Sequence, residues 1–305
     1  MRLEPHLDHP GEQAVQRRAG EGGPGWGSAM FDASLSGGFA AFLERQAMLV
    51  LASTDAAGAV WATAVAGPPG FARAVDDRTV RIDALPAPGD ALAEHLDGGA
   101  DVGILALEPQ TRRRIRVNGT VVRAGAGLEI RTEQVLGNCP KYLQTREITA
   151  LADPHRPGPA RRGAGLDAEQ RARIEAADTF FIGSRSPGHG ADASHRGGEP
   201  GFVRVEGDVL RWPDYRGNSF YMTLGNIELH PRAGLLFVDW EHGDTIQLAG
   251  SMRVDWDPEA AAALPGALRI IEFTAEHAVH VPAASPLRWR LVGRSRYNPP
   301  LERRR

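Results

Sequence analysis

The chain has 305 residues, 35 Lys and Arg against 38 Asp and Glu, a formal charge of −3 and one cysteine. That balance argues against a nucleic-acid-binding domain, which needs a basic face, and Cys139 alone excludes an internal disulfide framework or a thiolate-held cluster. No apolar run approaches the roughly 20 residues that cross a bilayer, and the opening MRLEPHLDHPGE lacks the apolar core of a secretory signal. The expectation is a soluble cytoplasmic protein with no membrane, nucleic-acid or metal partner, whose redox chemistry, if any, comes from an organic cofactor.

Residues 1–34 read as a peripheral arm with one short helix over 12–18 and a glycine-rich stretch, GEGGPGWGS, from Gly20. A helix follows over 40–47, and then LVLAST, AVWATAV, GFARAV, TVRID, VGILAL and RIRVNGTVV read as short strands between Gly, Pro and Asp turns. A helix is predicted over 90–96, a strand over 127–131 and a turn at Gly137-Asn138-Cys139-Pro140. Residues 152–165, dense in Pro, Gly and Arg, form the natural linker. Asp167 then caps a helix over 167–177. A second set of strands follows, with helices over 220–229 and 257–264 and closing strands over 267–273 and 277–281.

The second set is a copy of the first. Phe71, Arg73, Asp77, Asp83, Gly103, Ile115 and Gly119 recur 131 positions later as Phe202, Arg204, Asp208, Asp214, Gly234, Ile246 and Gly250, without a gap. A repeat this long predicts two globular units: 35–151 and 166–305, joined by 152–165. Arg73 and Arg204, present in both copies, are expected to pair structurally with Asp77 and Asp208.

Only the second copy carries a dense polar constellation. Ser194-His195-Arg196 precede a Gly-Gly turn, and Asp214-Tyr215-Arg216-Gly217-Asn218-Ser219 stand immediately before a predicted helix. Free amides at a helix start, a hydroxyl and nearby arginines suit a phosphate monoester, because aligned dipoles and charge-assisted bonds offset its desolvation. In the first copy the same positions read Ala64-Val65 and Asp83-Ala84-Leu85-Pro86-Ala87-Pro88, which cannot rebuild such a cradle.

SHRGG, GFVR, WPDYRGN, HPRAGLLF and QLAG, with AGPPGF, RRRIRVNG and GNCPKYLQTR in the first copy, resemble the pyridoxamine 5'-phosphate oxidase-like FMN-binding split-barrel family, in a tandem, two-barrel branch. The resemblance spans about residues 35–292 and implies a mainly β fold with few helices: a duplicated six-stranded antiparallel split barrel, the two barrels pairing as an intrachain pseudo-dimer with FMN between them. A homodimer of the whole chain is a further option. It also implies that Arg196, Asn218 and Ser219 hold the phosphate, with Ser194 and His195 near the ribityl chain or ring. Trp212, Pro213, Asp214 and Tyr215, continuing into Arg216 and Gly217, would run along the flavin, and Gln247 would approach its polar edge. Across the cleft the candidates are Arg114, Arg116, Asn118, Asn138, Lys141 and Tyr142, of which Lys141 or Arg114 could receive an anionic substrate. One FMN per chain is therefore expected, in an oxidoreductase taking electrons from a reduced nicotinamide or a separate electron-transfer protein and acting on a small molecule. The terminal Trp-Gln and Arg-His pairs of true pyridoxamine 5'-phosphate oxidase are missing, since the chain ends LRWRL before its basic tail. A flavin carrier without turnover, and a split-barrel protein using a deazaflavin or a haem in the same cleft, the haem needing an axial ligand such as His195 or His280, remain the alternatives.

Overall fold

The computed structural model describes residues 9–22, 32–96, 99–124, 126–137, 139–152 and 155–301. The basic tail 303–305, Asn138 and most of the glycine-rich arm lie outside them. The fold is mainly β, with every strand pair antiparallel.

Two short helices, α1 (Pro10–Ala19) and α2 (Gly37–Glu44), precede β1 (Met48–Thr54), β2 (Val60–Ala66), β3 (Ala72–Asp76), β4 (Thr79–Ile82), β5 (Asp101–Glu108), β6 (Arg113–Ala124) and β7 (Gly127–Gly137). These seven strands form one sheet in the order β2-β1-β5-β6-β7-β4-β3. After β8 (Thr145–Leu151), β9 (Arg161–Gly163) and α3 (Ala168–Ala176) come β10 (Thr179–Ser186), β11 (Gly190–Gly197), β12 (Arg204–Glu206) and β13 (Val209–Tyr215). Next are α4 (Met222–Leu229), β14 (Arg232–Val238), β15 (Thr245–Asp255), α5 (Pro258–Ala262), β16 (Ala267–Val281) and β17 (Leu287–Gly293). The second sheet runs β11-β10-β14-β15-β16-β13-β12, strand for strand the order of the first.

Strands β1, β5, β10 and β14 each carry a continuous apolar run, such as Met48–Ala52 and Phe180–Gly183, because both of their faces are covered there. Leu49 and Leu51 point into a first core with Val65, Ile104 and Ile130. Phe180, Ile182 and Leu235 point into a second with Trp212 and Phe273. The alternate residues Val50, Ala52, Leu105, Phe181 and Leu236 meet in a third core between the sheets. Backbones touch there through glycine. A Cβ on Gly103 would lie 2.5 Å from the Cα of Asp192, and one on Gly234 would lie 2.5 Å from the Cα of Trp61. Gly103 and Gly234 are equivalent positions, as are Trp61 and Asp192, so each contact is the other read in reverse. That reciprocity is the mark of a two-fold-related interface, here within one chain.

Several expectations change. Residues 90–96 are turns rather than a helix. Asp90 accepts the Leu92 amide at 2.8 Å, a local bond that competes with helical pairing, and Pro86, Pro88 and Gly89 precede it. The strand expected over 127–131 continues to Gly137, and the two closing strands are one, β16, with an irregularity opposite Ala249 and Gly250. The linker is partly structured, since β9 pairs with β16. Strands β8 and β17, not expected, form a separate two-stranded ribbon. Arg73 pairs with Asp83 instead of Asp77. Asp208 accepts the Leu166 amide at 2.8 Å and lies 3.8 Å from Arg171, while Arg204 is exposed.

The arm is not peripheral over α1. Val15 is buried in the second core, and a Cβ on Gly11 would fall 2.1 Å from the carbonyl oxygen of Gly225, so α1 lies directly on α4. His9 caps α1 and bonds Asn226 at 3.0 Å. Glu12 is buried at this contact, and desolvation, reinforced by Asp192 and opposed by Arg116, pushes its carboxyl up to about 8. A raised folded-state pKa means that stability is fully present below the unfolded value near 4.5 and is lost as pH rises through about 8. Glu12→Gln should remove most of that alkaline loss, on the order of a few kcal/mol, as read from urea midpoints between pH 5 and 9. An unchanged slope would place the titration elsewhere.

Candidate functional site

A cleft opens where the end of β13, the loop to α4 and the end of β11 face β6 of the other sheet. Its lining includes Arg114, Arg116, Lys141, Tyr142, His195, Arg196 and Arg269 as well as Asp214, Tyr215 and Ser219. The turn before β8 supplies Cys139, Lys141 and Tyr142.

The positions follow from strand geometry. On β6, Arg114 and Arg116 are two residues apart and share a face. On β13, Trp212 falls on the core side, edge-on to Phe180 at 5.1 Å, whereas a register shift between Asp214 and Tyr215 lets both of these neighbours reach the cleft. Ser219 and Tyr221 adopt φ of 61° and 60°, a conformation costly for residues with a Cβ and concentrated at functional sites. Tyr221 thus opens α4 without a side-chain cap. Gly197 is required where β11 passes the turn, since a Cβ there would lie 2.1 Å from the Tyr142 carbonyl oxygen. Tyr142 has φ of 63°, donates its hydroxyl to the Arg216 carbonyl at 3.2 Å and has its ring 5.0 Å from Tyr215.

The electrostatics are dominated by buried cations. Arg114 donates to the carbonyls of Cys139 at 2.9 Å and Lys141 at 3.3 Å, and to His195 Nδ1 at 2.8 Å. Burial and the neighbouring Arg116 bring the Arg114 guanidinium down to about 9. Arg196 donates to the Ser194 hydroxyl at 3.1 Å and the His195 carbonyl at 3.0 Å. Burial lowers its pKa against the attraction of Asp214. His195 lies well below the usual imidazole range, first from burial and then from Arg114, Arg196, Arg146 and Arg116. A neutral ring that accepts from Arg114 at Nδ1 carries its proton on Nε2. That nitrogen has no partner among the described residues, and neither do Nε of Arg196 and Nε of Arg116. Of the acids, Asp192 binds Arg116 at 3.0 and 3.1 Å across the two sheets. Asp214 lies 3.2 Å from Arg269, close enough for an ion pair but without hydrogen-bond alignment, and burial raises its pKa.

Of the residues singled out in the sequence, the cleft brings together His195, Arg196, Pro213, Asp214, Tyr215, Gly217, Asn218, Ser219, Arg114, Arg116, Lys141 and Tyr142. The others go elsewhere. Trp212 is core, and Ser194 is fully buried behind the lining, accepting from Arg196 and from Thr223 at 3.0 Å. Asn118 donates to Gln134 at 2.9 Å, away from the cleft. Arg216 is exposed and contributes its carbonyl. Gln247 is buried between the sheets, donating to the Ala62 carbonyl at 2.9 Å and accepting the Ala91 amide at 3.1 Å.

Gln247 is the counterpart of Arg116, and its surroundings are the counterpart of the cleft. There Thr63 and Asp90 replace Ser194 and Tyr221. The Thr63 hydroxyl donates to Asp90, whose complete burial raises it to about 6. There the polar side chains are engaged within the chain, Thr63 with Asp90 and Gln247 with the Ala62 and Ala91 backbone.

Arg269, Tyr221, Met222 and Thr223 also line the cleft and carried no motif. Arg269 did leave a trace: it is in phase with Ile271 and Phe273, a basic residue at a core position of a strand.

No family model matches the sequence, and no curated protein matches it. Among solved structures, HupZ of Group A Streptococcus is similar at 12% identity, covering 36% of this chain and 90% of that one, with a TM-score of 0.30. A protein described as FAD-binding from Mesorhizobium loti is similar at 12% identity over 40% and 97% of the two chains, TM-score 0.29. A Clostridium acetobutylicum protein of the pyridoxinephosphate oxidase family, related to general stress protein 26, is similar at 11% identity over 41% and 92%, TM-score 0.28. At such scores the likeness carries no conclusion for this chain.

Proposed function

We propose that the chain is a tandem split-barrel flavoprotein of the pyridoxamine 5'-phosphate oxidase-like type, with halves 35–151 and 166–305 forming an intrachain pseudo-dimer, and that the cleft described above holds FMN for an oxidoreductase reaction. The observation that carries this reading is the surplus of buried positive charge. The acceptors bonded to Arg114 and Arg196 are carbonyls, a hydroxyl and a neutral imidazole. Asp214 attracts Arg196 without bonding it, and buried cations whose hydrogen-bond acceptors are all neutral are costly until an anion joins them.

The donor set fits a flavin mononucleotide. Arg196 and the backbone that opens α4 suit the phosphate, through charge-assisted bonds and the helix dipole. The neutral His195, with its Nε2 proton free, and Arg114 suit a ligand edge that gains negative charge. Flavin supplies one- or two-electron transfer when bound, and the protein supplies position and field. Tyr142 and Tyr215 wall the cleft mouth, and Lys141, 5.9 Å over the Tyr297 ring, offers an anionic substrate a second charge. A haem reading fits less well: both ring nitrogens of His280 are engaged, by Arg161 and by Asp244 at 3.5 Å, and Nδ1 of His195 accepts from Arg114.

The released chromophore of the purified protein should show an oxidised-flavin spectrum at one FMN per chain, bleached by NADH or NADPH under nitrogen. A Soret band, or two flavins per chain, would sink this reading. A flavin that neither nicotinamide bleaches would instead favour a carrier or another electron donor.

A further inference from the structure

Glu21 lies outside every motif of the cleft, on the turn that leaves α1. Gly20 ends the helix with φ of 67° and Gly22 follows at φ of 80°, a left-handed backbone on either side that glycine adopts without steric cost. Between them the Glu21 carboxylate accepts hydrogen bonds from the Ser219 hydroxyl and, at 3.0 Å, from the Tyr221 hydroxyl. These are the two left-handed residues that open α4. The Ser219 hydrogen bond, the largest influence, holds the carboxyl below its ordinary range against burial, with smaller help from Tyr221, Arg216 and Arg269. A carboxylate of the chain itself therefore occupies donors that a ligand phosphate would use.

We propose that Glu21 is an internal anion that competes with the phosphate of the bound nucleotide and so sets how tightly the cleft retains a phosphate monoester. The inference rests on the flavin reading above for the identity of the ligand, and on the hydrogen bonds alone for the competition. A phosphate monoester carries nearly two negative charges at neutral pH against one on a carboxylate, so it can displace Glu21. Its apparent affinity is nevertheless reduced by the fraction of molecules in which the donors are free. The helix can stay in place during the exchange, because Val15 is buried and Gly11 abuts Gly225. Only the glycine-flanked turn has to swing. The flavin is thereby made exchangeable, more like a cosubstrate than a permanently held group.

The test is titration of FMN and of riboflavin, which lacks the phosphate, into the full chain and into Glu21→Gln, following flavin fluorescence. The variant should bind FMN about tenfold tighter and riboflavin no differently, with Glu21→Asp in between; Glu21→Ala repeats the measurement without a hydrogen-bonding side chain. Unchanged or weaker FMN binding by Glu21→Gln and Glu21→Ala would overturn the competition while leaving the flavin reading intact. An equal gain for riboflavin would also overturn it, by showing that Glu21 blocks the cleft through bulk. If neither protein binds FMN, inorganic phosphate replaces it as the probe, read by thermal unfolding. Tighter phosphate binding by the variant then supports the competition and removes only the flavin, and no difference overturns both.

Discussion

Replacing Arg196 by alanine should weaken FMN binding roughly a hundredfold or more, the size of effect seen when one partner of a buried charged contact is removed. Riboflavin should lose much less, because the guanidinium is assigned to the phosphate. The unliganded protein should not be destabilised in proportion, since this cation is buried at a cost and its bonds go to the Ser194 hydroxyl and the His195 carbonyl. The control is built into the chain. Val65 occupies the equivalent place in the first half and is buried in an apolar core, so Val65→Ala should cost about 1–3 kcal/mol of stability and leave flavin affinity as it was. Equal effects on affinity would mean that both halves hold the ligand, contrary to the hydrogen-bonded arrangement of Thr63, Asp90 and Gln247.

The largest effect on stability should come from Gly234→Val. The nearest atoms to its added Cβ are the Trp61 Cα at 2.5 Å and the Val60 carbonyl oxygen at 2.6 Å, both backbone, and neither can rotate aside. The two sheets would have to separate locally, at a cost of about 3 kcal/mol or more, visible as a lower urea midpoint. Flavin binding should fall with it, because Arg114 and Arg116 reach the cleft from the other sheet. Gly103→Val should match it, its Cβ meeting Asp192 and Ala193 backbone. Gly37→Ala, with nothing within 4 Å of its Cβ, should leave stability unchanged or slightly raised. If Gly234→Val and Gly37→Ala behave alike, the interface is looser than its geometry indicates.

Much of this organisation was legible in the residues. Short alternating runs and an ungapped 131-residue offset mark β1 to β6 and their counterparts, because strand pairing repeats whenever the pattern of inward side chains repeats. The offset also separated Arg196 from Val65, and hence the basic cleft from its apolar counterpart. What could not be read depends on contacts distant in sequence. Trp212 shares its strand face with Leu210, so alternation alone sends it to the core; the register shift that then admits Asp214 and Tyr215 together has no sequence signature. The resemblance implies Gln247 at the flavin's polar edge, but a buried side-chain amide and a ligand-binding one are the same residue type, and here the amide bonds the Ala62 and Ala91 backbone. The helix expected over 90–96 failed because Asp90 turned its carboxylate inward, and Glu21 was hidden in a glycine-rich arm whose docking depends on one glycine meeting another.

The ribbon of β8 and β17 bears on how the chain is made. Leu151 pairs with Leu287 and Thr145 with Gly293, so a strand at the end of the first half waits for the last strand of the second. During synthesis β8 has no ribbon partner until β17 has left the ribosome. The ribbon is therefore expected to close as a clasp after the strands between β8 and β17 have been made, since the long loop it spans makes that step a late one.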